Sequence, residues 1–148
     1  MLNKLIQNKF KIIITILIIV CFSLVRGFEK QLFYDPFLAY FETDFNDLPF
    51  PELNTFHFFL ALLFRYGVNT ILSLLLIYTL FQNVQILKFS IVLYLILLIV
   101  FFAVFFLILN YYSNGNWLLF YVRRFIIQPM LVLLFIPAFH YQQQSLKK

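Results

Sequence analysis

Few residues in this chain are equipped to do chemistry. Four arginines (Arg26, Arg65, Arg123, Arg124), two histidines (His57, His140) and one cysteine (Cys21) stand in a sequence dominated by Phe, Leu and Ile. Arg65, Asn69 and Ser73 recur every four residues, which places them on one face of a helix. Arg124 and Gln128 repeat that spacing, and Arg123 stands beside them. A guanidinium on such a stripe holds a carboxylate or phosphate with a two-pronged fork. The amide and hydroxyl groups beside it gain nothing from lipid tails and belong against other helices or a polar cavity. Two readings stay open: interhelical hydrogen bonds that bind the bundle together, or a pocket that receives an anion. In the second, acids of the chain itself, Asp35 and Glu52 foremost, are candidate partners. Taken singly, each arginine can also snorkel to an interface from a charge-free run, 66–87 or 125–146.

The remaining reactive groups point elsewhere. Cys21 lies within Ile18-Ile-Val-Cys-Phe22, whose apolar character keeps a thiol protonated and packs it as a small hydrophobe. Neither the two distant histidines nor the single cysteine forms a metal-ligand spacing. No catalytic residue, metal site or cofactor is assigned.

Positioning these groups falls to membrane helices. Of 148 residues, 64% are hydrophobic and 11% charged, against about 45–50% and 25% in a soluble domain, and the mean hydropathy is +0.93. The chain reads as a single all-α integral membrane domain, 1–148, with four transmembrane helices over about 5–25, 56–81, 89–109 and 118–141. The turn-rich stretch 110–116 separates the last two. Pro129 predicts a kink with an exposed carbonyl in the fourth span, and Pro137 a loosening of its last turns. No small-x-small site precedes Arg26, so the first span reads as a retained anchor rather than a cleaved signal, and Val20 argues against lipidation of Cys21.

All six acidic residues fall in the loop 26–55, whereas six of the seven lysines lie at the N-terminus, at Lys88 or at the C-terminus. The positive-inside rule therefore puts both termini in the cytoplasm and the acidic loop outside, toward the periplasm if the cell is a diderm bacterium. With a net charge of +5 but no basic stripe on a soluble face, the partners expected are membrane lipids and not nucleic acid. The loop interleaves its acids with aromatic rings, which suggests docking at the interface. Asp35-Pro36 predicts an N-cap and first residue for a short helix 37–42 lying on the bilayer surface, and Asn54 or Thr55 caps the second span. Trp117, Tyr111 and Tyr112 read as an aromatic belt, with His57 and His140 as boundary residues.

Three segments carry a resemblance. Tyr34-Asp35-Pro36, Arg65-Tyr66 with Asn69-Thr70 and Leu72-Ser73-Leu74, and Arg123-Arg124-Phe125 with Gln128-Pro129 together resemble the small exosortase F system-associated membrane proteins of Bacteroidetes. The resemblance implies a non-catalytic accessory of a protein sorting or surface-export system, beside a multi-spanning exosortase-type enzyme. The outer loop and an Arg65/Arg124 pocket would meet that enzyme or its substrate, so Arg65→Ala or Arg124→Ala impairs sorting and Cys21→Ala does not. Two alternatives stand. Cys21, Arg65 and Arg124 follow the order of a thiol-dependent membrane peptidase or transpeptidase, although the surroundings of the cysteine differ. The arginines also suit an anionic-lipid binding protein.

Overall fold

The computed structural model describes residues 2–148 apart from 53, 113, 115 and 129, with the side chains of 2–5 also outside the description. Seven helices and no strand occur among the described residues: α1 (Leu2–Gly27), α2 (Glu29–Leu32), α3 (Pro36–Glu42), α4 (Thr55–Phe81), α5 (Val84–Tyr111), α6 (Asn116–Ile127) and α7 (Met130–Leu146). The protein is an all-α membrane protein. Helices α1, α4 and α5 are each long and apolar enough to cross a membrane. A fourth crossing, if α6 and α7 are counted as one span, is broken by a 64° bend. At about 1.5 Å per residue neither α6 nor α7 alone matches a hydrocarbon layer of roughly 30 Å. Pro129, to which the sequence assigns the break, lies outside the described residues. Pro137 sits inside α7, which continues to Leu146.

Helix α4 is the hub, packing against α1, α5, α6 and α7. A helix that touches neighbours on several sides has no polar face to spare, so its stripe of Arg65, Asn69 and Ser73 is buried. The α4–α5 connection is tighter than the sequence suggests. Gln82 takes a left-handed conformation (φ 48°) that ends α4, and the Asn83 side chain accepts a hydrogen bond from the Gln85 backbone N–H (2.8 Å) to start α5. Lys88 is therefore an exposed residue inside α5, not part of a loop. The α4 start is capped as expected, with Asn54 Oδ1 accepting from the His57 N–H at 3.4 Å.

Residues 28–52 fold over one end of the bundle as a cap. Helix α3 forms where Asp35-Pro36 predicts it, but its rings do not lie in lipid. Phe37 is fully buried, its ring centroid 5.4 Å from Phe58 of α4 and 6.2 Å from Phe105 of α5. The reason is that α3 turns Phe37 toward rings at the mouth between α4 and α5, which accept it tilted or edge-on, while Tyr40 packs against Phe41, Phe45 and Phe50 within the cap. Tyr40 donates to the Leu48 carbonyl (2.8 Å), and Asn116 Nδ2 donates to the Phe45 carbonyl (2.8 Å), which ties the far side of the cap to α6. Tyr111, Tyr112 and Trp117 are exposed, as expected of belt residues, and so are His57 and His140.

Candidate functional site

The polar centre of the molecule lies where the cap meets α4 and α6. Arg65, ten residues into α4, and Arg123, on α6, are 2% and 4% exposed. Neither charge can reach solvent, so each requires an ionic partner. The cap supplies two. Glu29 of α2 pairs with Arg65 Nη2, while Asp35 Oδ2 lies 3.4 Å from Arg65 Nη1 and also pairs with Arg123 Nη2. Two cations and two carboxylates thus form a neutral quartet. Aromatic rings from the same cap roof it, Phe33 at 5.1 Å from the Arg65 guanidinium carbon and Phe41 at 5.6 Å from that of Arg123.

This geometry changes the role of Asp35. It occupies the N-cap position of α3, as the sequence predicts, but its side chain makes no capping hydrogen bond. Two buried guanidinium groups outcompete a backbone N–H for the carboxylate, because a hydrogen bond between ions is the stronger one. Its Oδ1 and the Nε atoms of both arginines have no hydrogen-bond partner among the described residues. Glu52, the other acid proposed from sequence, is exposed and forms no ion pair among the described residues. Glu29 takes that place, and sequence reading missed it. The available signal was position: Glu29 and Asp35 flank Phe33 at the start of the only acidic segment.

The arginines also exchange roles. Sequence spacing couples Arg65 with Arg124, whereas the structure joins Arg65 with Arg123. On α6 the buried face is Asn116, Leu119, Arg123, Ile126 and Ile127, and Arg124, about 100° further round, is exposed. Arg124 Nε donates to Gln128 Oε1 at 3.1 Å, so the second stripe is a local pair on the surface.

The α4 stripe divides its work. Asn69 Nδ2 donates to the Ile127 carbonyl at 2.8 Å, which is the last helical residue before the break. A carbonyl released by a broken helix inside a membrane needs such a donor. Ser73 turns back to the Asn69 carbonyl of its own helix at 2.7 Å. Cys21 is half-buried in α1 and lines none of the three clefts beside the arginines. No group of three or more His, Cys, Asp or Glu side chains suited to a metal occurs among the described residues.

Outside the spans, the exposed Lys30 ammonium lies 2.9 Å from Glu42, which raises the lysine pKa through their hydrogen bond and charge. Burial raises that of the Tyr40 hydroxyl.

The fold and this buried quartet define a polytopic helical membrane protein with an ion-paired cap. No family model matches the chain, and neither any curated protein nor any solved structure shows significant similarity to it.

Proposed function

We propose that the chain is a non-catalytic accessory of a membrane protein-sorting or surface-export system, working beside a multi-spanning exosortase-type enzyme. The observation that carries this reading is convergence. Asp35, Arg65 and Arg123, one from each of the three segments that resemble the exosortase F system-associated proteins, meet in the quartet. Residues so committed to each other hold a shape and leave no free acid or base for turnover. The shape held is the cap, whose outward side displays Tyr34, Leu48, Asp44 and Asp47 as a mixed aromatic and acidic surface for a partner. That Cys21 lines none of the arginine clefts favours this reading over a thiol-dependent peptidase.

In the same proposal the cap faces the periplasm and both termini the cytoplasm of a bacterial inner membrane, with α6 and α7 as one broken span. Lys9, Lys11, Lys88, Lys147 and Lys148 then share the cytoplasmic side.

The test is capture of tagged protein from its native membrane in mild detergent, at matched expression. Recovery of a multi-spanning sorting enzyme is expected to fall when Tyr34→Ala and Leu48→Ala are combined, and to be unchanged by Cys21→Ala. A capture that ignores the cap variants, or sorting that is lost on Cys21→Ala, overturns the proposal.

A further inference from the structure

Beside the quartet, α1 and α7 flank α4 without closing over it, and a trough of about 530 Å³ runs between them. Leu76 and Leu80 of α4 make its floor. Ile19 and Phe22 of α1 form one wall and Leu133 and Ile136 of α7 the other. At the cap end the lining changes character to Arg26, Arg124 and Gln128. Both arginines are exposed and neither forms an ion pair among the described residues. Gln128 spends its carbonyl oxygen on Arg124 Nε, which leaves its amide N–H groups to donate.

Depth and lining select an occupant. From Arg26 to Thr15, the last α1 residue on the trough, the helix rises about 16 Å, roughly half of a 30 Å hydrocarbon core and so the depth of one leaflet. Along that length the trough is an open groove lined by Ile19, Phe22, Leu76, Leu80, Leu133 and Ile136. An alkyl chain suits that lining. The two cations above it call for an anion at headgroup level, and paired guanidinium forks match the oxygens of a phosphodiester.

We propose that this trough binds one anionic phospholipid, its phosphate held by Arg26, Arg124 and Gln128 and one acyl chain laid between α1 and α7. The site uses neither Arg65 nor Arg123, whose charges are already balanced by the cap, and it stands whether or not the sorting role does.

Native mass spectrometry of the full-length protein after delipidation, with added phosphatidylglycerol or phosphatidylcholine, tests it. Wild type is expected to retain one phosphatidylglycerol in preference to phosphatidylcholine. Arg26→Gln with Arg124→Gln, both at exposed positions that leave the fold intact, weakens that retention by at least about tenfold, or roughly 1.4 kcal/mol. Leu133→Trp, which fills the trough without changing charge, weakens it as well. Inorganic phosphate does not displace the lipid. Equal retention of the two lipids, indifference to the arginine pair or to Leu133→Trp, or displacement by phosphate alone would each overturn the proposal.

Discussion

Replacing Asp35 by asparagine removes one charge from a cluster that has no solvent to absorb the change. Arg65 keeps Glu29 as a counter-ion, but Arg123 keeps none, since Asp35 is its one ionic partner among the described residues. Breaking a buried pair by removing one member destabilises by about 3–5 kcal/mol, because the other charge is stranded. The Arg123 side chain is 5% exposed, so the full range applies, toward its lower end because asparagine still offers an acceptor. The companion variant Arg123→Met added to Asp35→Asn restores neutrality, leaving Arg65 with Glu29, and should recover at least about half of the loss. Unfolding by SDS in mixed micelles, followed through the fluorescence of the single tryptophan, reads both. Trp117 is well placed for this, with its ring 5.1 Å from Phe45 of the cap. A loss below about 1 kcal/mol for Asp35→Asn, or a double variant no more stable than the single one, refutes the reasoning.

Three further outcomes are expected. Phe37→Ala, at a fully buried ring that joins the cap to α4 and α5, should destabilise by about 3–5 kcal/mol and open residues 28–52 to limited proteolysis before the rest of the chain; unchanged cleavage there rejects the account. Asn69→Leu strands the Ile127 carbonyl at the helix break and should lower stability by about 1–3 kcal/mol in the same unfolding assay, a figure that near-neutrality would contradict. Above the usual tyrosine pKa of 10.0, the unfolded chain ionises Tyr40 while the folded cap holds it protonated. The unfolded state then binds fewer protons, so stability falls as pH rises from that value toward the folded pKa. Tyr40→Phe should show a shallower decline over this range, and identical slopes for the two proteins would exclude the buried hydroxyl as the cause.

The spans were legible because lipid demands length and apolarity, and both are properties of the local sequence. Rotation about each helix axis was not. In a soluble helix polar residues mark the outside, but beyond its first two turns α5 is apolar on every side, and its buried residues Tyr94, Phe102 and Phe105 look like their lipid-facing neighbours. The α4 stripe escaped this ambiguity because three polar groups at intervals of four cannot face lipid tails, and its burial follows from that alone. On α6 the doublet Arg123-Arg124 gives no such guidance. Two adjacent arginines differ by about 100° of azimuth, and the choice between them rests on Asn116 and Leu119 seating against the cap and the bundle. The cap itself was half legible. Asp35-Pro36 announces α3 through local backbone preference, yet the destination of the carboxylate is decided by residues 30 and 88 positions away, to which no local rule refers.

That inversion moves the weight of function within the molecule. Counting charges along the sequence, all four arginines compete for the same acids, and Arg65 and Arg124 together form the candidate pocket for an outside anion. Once Glu29 and Asp35 are committed to Arg65 and Arg123, those two arginines have nothing left to attract, and only Arg26 and Arg124 retain an unbalanced field. Both sit at the mouth of the same apolar trough. A membrane protein that balances its deepest cations internally and leaves its exposed pair beside an apolar groove has divided structure from recognition. Variants at Arg65 or Arg123 should therefore be read through unfolding, and variants at Arg26 or Arg124 through ligand retention in a protein of unchanged stability. Loss of lipid from a stable Arg65→Gln protein that keeps Arg26 and Arg124 would show that the division is wrong.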